Sequence, residues 1–524
     1  MKTFTLLIDG KDFDTGSYEY FPYADKMILD FKGTYKIVSD VKKGMLPSGA
    51  EEFIFARYVV ADDETNGMAI ESAYKASQAF RHFPVSVRRK IMLDMHDNLV
   101  SKKEEIIRLL IIEGHPKKLA EWEFSGMEKG CRPESINLFK DMLWTEVGCI
   151  GNETVYTARK PDGVVCVSPP KNAPCSNSLI ASYALLGGNA IIVKPPLRSP
   201  LSTIYLWKEV VWRAARDNGA PPGTINLVVG NAKKILDEWL ASPHINDILY
   251  FGTSENGIEI GNRIYAAGKK PILELSGNDM MFVWKDADLG KAINALLDAF
   301  LGSTQICMVP KAAAIHEDVY EEFSEKFISA VKQLRVGLPS DPDTYLTPVM
   351  KIKEFYEFLN DAIAKNATLV HGGQRVNHKG EPDENGVYII PAVLTVDYGE
   401  DALSMKCVIK EENFFPLLPL IKIGGGSDEE IFNKMISVAN TNEYGLRTSV
   451  WVRSNYFIRK FVRHIHNGGL LRINSRHVDF SLFLSTHGGT GKTGGPCGEM
   501  NYIWQKTTHL QGISLTREKV LVKR

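Results

Sequence analysis

The chain has 524 residues, too many for one hydrophobic core, so two or three domains are expected. With 44% apolar and 24% charged residues it reads as a soluble globular protein, and a formal net charge of −1 argues against general binding to nucleic acid or a membrane surface. No apolar run reaches the roughly 18–20 residues that span a bilayer, and seven scattered cysteines with no C-x-x-C pair argue against a disulfide framework or a metal site and fit a reducing, cytoplasmic compartment.

Residues 1–10 meet a charge too early for a signal-peptide core and read as a strand entering a turn. Residues 4–60, rich in Thr, Val, Ile, Tyr and Phe, predict several short strands. From Gly67 to Phe83 the pattern turns helical. Beyond Pro84, Val87, Ile91, Met95 and Leu99 recur every four residues on one helical face. A further helix from Lys102 stops at Gly114 and Pro116. Residues 145–150 and 154–159 are strand-like and flank Gly151-Asn152-Glu153, which predicts a hairpin.

A regular alternation follows. Strands are predicted at 164–168, 190–193, 225–229, 248–251 and 272–275, with helices at 176–186, 200–217 and 255–267; Gly219 and Gly268 stand where helix C-caps belong. Such alternation predicts a doubly wound α/β sheet, which binds ligands beyond the carboxyl ends of its strands. A second α/β unit begins near Asp279, with a helix at 289–301 running toward Cys307, a strand at 311–315 and a helix at 319–335. Residues 338–346 and 371–388 are predicted surface loops.

Two stretches carry the chemistry. Gly302-Ser303-Thr304-Gln305-Ile306-Cys307 offers a thiol and Leu273-Glu274-Leu275-Ser276-Gly277 a carboxylate. A thiolate attacks an electron-poor carbon, and a carboxylate can then activate water to release the product. Asn172, held in Pro169-Pro170-Lys171-Asn172-Ala173-Pro174, is a neutral donor suited to an oxyanion. Lys194 ends a strand, and Phe251-Gly252-Thr253-Ser254-Glu255 opens a helix whose N-terminus attracts phosphate. There is no G-x-G-x-x-G dinucleotide fingerprint.

Asn-x-Pro, Val-Lys-Pro, Phe-Gly-Thr-Ser-Glu-x-Gly, Leu-Glu-Leu-Ser-Gly, Gly-x-x-Gln-x-Cys and Glu411-Glu412-Asn413-Phe414-Phe415-Pro416, in this order, resemble the aldehyde dehydrogenase superfamily from about residue 67 to about residue 515. The resemblance implies a Rossmann-like NAD(P)-binding domain (1–143 and 162–278), a catalytic domain (279–482) and a small β oligomerisation element (144–161 and 483–524) that joins a homodimer or homotetramer. It implies that Cys307 is the nucleophile, that Asn172 and the Cys307 N–H hold the oxyanion, and that Glu274 activates the hydrolytic water. Glu412 and Phe414 would meet the nicotinamide end. Lys194, Gly230, Gly252, Thr253 and Leu275 would line the rest of the cofactor site. Leu197 stands where relatives that prefer NAD carry a glutamate, and Arg198 follows it, so NADP is expected ahead of NAD.

Lys171, Ala173, Ile306, Met308, Asn474, Arg476 and His487 are the expected substrate-pocket residues. Together they predict a polar, partly cationic pocket for an aldehyde with a carboxylate or other polar tail. Besides a non-catalytic structural homologue, which the joint presence of Cys307, Glu274 and Asn172 argues against, two rivals stand beside this reading. One is a CoA-acylating relative, against which Glu274 argues. The other is a P-loop suggested by His487-Gly488-Gly489-Thr490-Gly491-Lys492-Thr493, which lacks the required glycine at Thr486. Residues 30–56 carry no legible role.

Overall fold

Strands of four or five consecutive apolar residues, such as Ala190–Val193, are buried on both faces and read as parallel strands covered by helices. In the computed structural model, which describes residues 1–516, they build a seven-stranded sheet. Its order is Lys270–Glu274, Asp247–Phe251, Val164–Ser168, Ala190–Val193, Ile225–Leu227, Leu6–Ile8 and Lys11–Phe13. The first five run parallel and the last two are an antiparallel edge hairpin. Gly219 and Gly268 take left-handed backbone angles (φ 76° and 72°) at the ends of their helices, as caps require.

A second seven-stranded sheet has the order Thr368–His371, Ala392–Asp397, Leu417–Ile423, Pro310–His316, Asp279–Val283, Arg447–Trp451 and Leu470–Ile473, parallel except at the first strand. The chain passes from the carboxyl end of one sheet, at Glu274, to the amino end of the other, at Asp279. Because the strands are parallel, each edge gathers its loops. Lys171, Asn172, Lys194, Gly252 and Leu275 follow strands of the first sheet; Gly277, Cys307, Phe414 and Leu446 precede strands of the second. These two sets of loops face each other across one cleft.

The predicted hairpin is present as Trp144–Ile150 and Glu153–Pro161, and Thr508–Thr516 adds a third antiparallel strand. Of the stretch 483–524 assigned to this element, only Thr508–Thr516 joins the sheet. His487 to Asn501 packs around Glu274 instead, and 517–524 lie outside the described residues.

Three expectations are corrected. Residues 24–42 form two helices, Ala24–Leu29 and Phe31–Lys42, where only strands were expected; Thr34, Ile37, Val38 and Val41 fall at i, i+3, i+4, i+7, and the last three pack on Ala50 and Ile54. The stretch 371–388 is not all surface loop, since Tyr388 is fully buried and its hydroxyl donates to the Gly337 carbonyl at 2.6 Å. The helix at 289 ends at Leu296 and continues as tighter turns to Thr304, broken at 301–303. Among the described residues no helix is long and apolar enough to cross a membrane.

Candidate active site

The thiol sits on a strained loop. Gly302, Ser303 and Thr304 all take left-handed angles (φ 58°, 55° and 64°), at a cost of roughly 1–3 kcal/mol for each non-glycine. Surrounding groups hold them there. Ser303 Oγ donates to the Thr347 carbonyl (2.7 Å) and accepts from the Thr347 amide (2.9 Å), while Gln305 Nε2 donates to Thr347 Oγ1 and the Pro348 carbonyl (both 2.9 Å). From beneath, the fully buried Lys311 ammonium donates to the Thr304 and Ile306 carbonyls at 3.0 and 2.8 Å.

Cys307 is half-buried in an apolar cluster with Leu119, Ile306, Met308, Leu446 and Val478, flanked by Trp122 and Phe480. Burial pushes its thiol up to about 12; Glu412 adds to this and Lys311 opposes it. At neutral pH the thiol therefore needs a base to become a nucleophile.

Across the cleft, Asn172 Nδ2 donates to the Gln305 carbonyl at 3.0 Å, two residues before Cys307. One of its amide hydrogens is free for a second acceptor. The Cys307 backbone N–H has no acceptor among the described residues.

Glu274 ends its strand buried, accepting from the Gly488 amide and from Asn501 Nδ2, both at 2.8 Å. Burial raises its pKa to about 7 against the pull of those two bonds. A carboxyl poised there is a general base at neutral pH. The glycine-rich loop that suggested a nucleotide cradle thus gives its first amide to Glu274. Gly488 has φ 89°, and a Cβ there would fall 2.2 Å from the Glu499 carbonyl oxygen.

Gly277 explains how the two reactive stretches approach: a Cβ at this position would fall 2.5 Å from the Cys307 carbonyl oxygen. Its amide donates to Glu412 Oε1 at 3.0 Å, and the Phe414 ring lies 5.2 Å from Lys311 Nζ. Glu412 and Phe414 therefore border the nucleophile from the second sheet.

On the first sheet, Lys194 is buried, with its pKa lowered to about 8 by desolvation. It reaches Ser168 Oγ at 3.4 Å and has no carboxylate partner among the described residues. A desolvated ammonium in this state favours an anionic or hydroxyl-rich ligand. Thr253 begins the helix Ser254–Ala266. Gly230 is tightly enclosed, with Ile235 Cδ1 3.0 Å from where a Cβ would be. Gly252 would put a Cβ against the Tyr250 ring (2.7 Å), and Leu275 is buried with its amide on the Thr493 carbonyl at 2.9 Å.

A cleft of about 700 Å³ runs past Asn172, Gln305 and Phe414 to Lys171 and Arg198. Among the described residues these two cations have no ion-pair partner; burial and the neighbouring Arg198 lower the Lys171 pKa. Met27, Ile28, Phe31 and Tyr35 of the N-terminal helices wall the far side, so the start of the stretch 30–56, which had no legible role, stands at the cleft mouth.

The expected substrate-pocket residues do not gather at one place: Lys171 lines the cleft beside Asn172, and the others lie apart from it. Asn474 is engaged by the Val452 backbone, accepting from its amide (2.9 Å) and donating to its carbonyl (2.6 Å). Arg476 forks onto Asp298, with Nε 2.9 Å from Oδ2, and both line a separate depression with Lys291 and Trp451. His487 is buried between Asn177 Oδ1 (2.7 Å) and Thr486 Oγ1 (2.6 Å), and burial lowers its pKa to about 3, so it is neutral. Ala173, Ile306 and Met308 are buried, and the last two are in the apolar wall beside Cys307. Arg476 is exposed yet already engaged by Asp298; the nucleophile faces hydrocarbon and aromatic groups.

Sequence reasoning missed Lys311, Gly488 and Asn501. Lys311 alone left a signal, a charge inside the apolar strand Pro310–His316. A chain of Ser449, His477 and Asp279 (2.8 and 3.1 Å) resembles a hydrolase triad but is sealed from solvent.

Comparisons with known proteins agree with this geometry. The aldehyde dehydrogenase family model matches residues 46–513. The lactaldehyde dehydrogenase of Methanocaldococcus jannaschii is 29% identical over 464 residues, covering 86% of this chain and 92% of its own. The alpha-ketoglutarate semialdehyde dehydrogenase of Haloferax volcanii is 26% identical over 489 residues, 88% of this chain and 94% of the relative. A solved glyceraldehyde-3-phosphate dehydrogenase of M. jannaschii, complexed with NADP, superposes with a TM-score of 0.75 at 26% identity, covering 88% of this chain and 97% of that one. The family model over residues 46–513, with relatives and a fold matched over most of the chain, places it in the aldehyde dehydrogenase family, as an NAD(P)-dependent enzyme that oxidises an aldehyde.

Proposed function

We propose that Cys307 attacks the aldehyde carbon, with its thiol proton passing to a base, and forms a thiohemiacetal. The Asn172 amide and the Cys307 N–H hold the oxygen as negative charge develops on it. NAD(P), when bound by the residues named below, would supply the hydride acceptor, and loss of hydride from the adduct held on Cys307 leaves a thioester. Glu274 then takes a proton from water as the water attacks the thioester, releasing a carboxylic acid and the thiol. The observation that carries the reading is the buried Glu274 carboxyl, held by Gly488 and Asn501 and poised near neutrality in the cleft that Gly277 shares with Cys307.

The residues also fit the cofactor. The first unit (1–143 and 162–278) would hold it, with Lys194, Gly230, Gly252, Thr253 and Leu275 around its adenosine and pyrophosphate and with Glu412 and Phe414 at the nicotinamide end; 279–482 would carry the nucleophile. Leu197 leaves no carboxylate to repel a 2′-phosphate, and among the described residues Arg198 and Lys171 lack anionic partners, which supports NADP over NAD. The apolar wall beside Cys307 favours an aldehyde whose tail is apolar next to the carbonyl. Trp144, Val147, Ile150, Leu510 and Leu515 are exposed on the three-stranded sheet, which supports burial against a second copy of this chain in a homodimer or homotetramer. The seven cysteines stand free of one another, which supports a cytoplasmic setting.

The test is reduced-cofactor formation with a panel of aliphatic, aromatic and carboxylate-bearing aldehydes, with NADP or NAD, and with or without CoA. Turnover without CoA is expected, faster with NADP. Turnover only with CoA would move the chain to acylating chemistry. Arg198→Ala should raise the KM for NADP about 5- to 30-fold and leave that for NAD nearly unchanged, the worth of one exposed charge-assisted contact. Equal changes for both cofactors would remove Arg198 as the phosphate contact.

A further inference from the structure

Around the elbow between the helices Lys103–Ile112 and Lys117–Gly130 stand three titratable groups that the mechanism above does not use: the half-buried Glu113 and the buried His115 and, one turn into the second helix, Glu123. Each fastens a different part of the first sheet's loop edge. Glu113 accepts from the amides of Leu201 (2.5 Å) and Ser202 (3.3 Å). Glu123 accepts from the Ser176 amide (2.8 Å) and hydroxyl (3.1 Å). His115, between them, has Nε2 3.0 Å from the backbone carbonyl of Asn172.

That contact fixes the ring's tautomer. A carbonyl only accepts, so Nε2 carries the hydrogen. Nδ1 is left buried without a hydrogen-bond partner among the described residues. Burial lowers the ring's pKa, so the imidazole is neutral. The His115 amide is tied to the Leu110 carbonyl at 3.0 Å, which anchors the ring to the helix behind it. Glu123 Oε2 lies 3.9 Å from Nε2, too far for a hydrogen bond. Asn172 is thus held at two points: its side-chain amide by the Gln305 carbonyl of the nucleophile loop, and its main-chain carbonyl by His115.

We propose that His115 is a positioning residue for aldehyde oxidation: by donating Nε2–H to the Asn172 carbonyl, it sets the backbone from which the Asn172 amide meets the substrate oxygen. This rests on Asn172 being the oxyanion donor. An oxyanion contact works only when its donor is preplaced, and a misplacement of about 1 Å can cost on the order of 100-fold in rate. Leucine at 115 removes the donor. Glutamine returns an N–H at nearly the reach of Nε2, whereas asparagine stops short.

The experiment measures the single-turnover rate of reduced-cofactor formation, with saturating NADP and the best aldehyde of the panel. The enzymes are wild type, Asn172→Ala, His115→Leu, the double variant, His115→Gln and His115→Asn. His115→Leu is expected to slow this step about 10- to 100-fold with little change in KM for NADP. Glutamine should recover most of the loss and asparagine little of it. The double variant should be no slower than Asn172→Ala alone, because His115 acts through that residue. Should His115→Leu fail to fold, the glutamine and asparagine pair carries the same comparison.

Multiplied losses in the double variant, or glutamine and asparagine behaving alike, would overturn the proposal. So would an unimpaired His115→Leu beside a slow Asn172→Ala, which would leave the oxyanion reading standing. A fast Asn172→Ala would remove that reading, and the role of His115 with it.

Discussion

Cys307→Ala is expected to lower aldehyde oxidation at least about 10⁴-fold while leaving NADP affinity within about twofold. The size follows from what the side chain supplies. Without sulfur there is no covalent adduct, and nothing else in the apolar cluster around position 307 is nucleophilic. The alanine is smaller than the cysteine it replaces and fits the same wall. Lys311 and the Ser303–Thr347 bonds hold the loop backbone without help from the thiol. Cofactor titration by fluorescence and turnover by absorbance separate the two effects; retained turnover would remove Cys307 as the nucleophile.

Glu274→Gln is expected to have the second largest effect and a different signature. The nucleophile and oxyanion donors remain, so a burst of about one equivalent of reduced cofactor per site should appear. Steady-state turnover should then fall about 10²- to 10³-fold, because no base activates the water. The wild-type rate has a pH dependence with a fixed sign. Burial raises the Glu274 pKa to about 7, so the carboxylate that acts as base is present above that pH and is lost as pH falls through it. The hydrolysis rate should decline about tenfold per unit below pH 7, and the glutamine variant, whose slow hydrolysis lacks this base, should not follow that profile. A steady-state rate unchanged in the variant would assign the water to another group.

Much of this site is legible in the chain because its parts are local patterns. The reactive stretches are contiguous, and the alternation of apolar runs with helices fixes which loops share an edge. The doubly wound sheet and the hairpin at 144–161 follow from the same signals. What escapes the sequence is long-range pairing. Gly488 and Asn501 meet Glu274 from more than 200 residues away, and no local spacing announces it. Asn474 and Arg476 read as polar groups free to meet substrate, yet Val452 and Asp298 engage them. The left-handed run through Ser303 and Thr304 is equally hidden, because tertiary bonds to Thr347 and Lys311 impose it against the residues' own preference. The helices at 24–42 were hidden by their aromatic and β-branched composition, which favours strands until the stripe of Thr34, Ile37, Val38 and Val41 is counted.

The most direct measurement is the intact and peptide mass of Glu274→Gln enzyme, acid-quenched during the burst with a productive aldehyde and NADP. The account predicts an added acyl group, equal to the aldehyde mass less one hydrogen and replacing the thiol hydrogen, confined to the peptide that contains Cys307. An unmodified enzyme after a full burst, or an acyl group on any other residue, would contradict it.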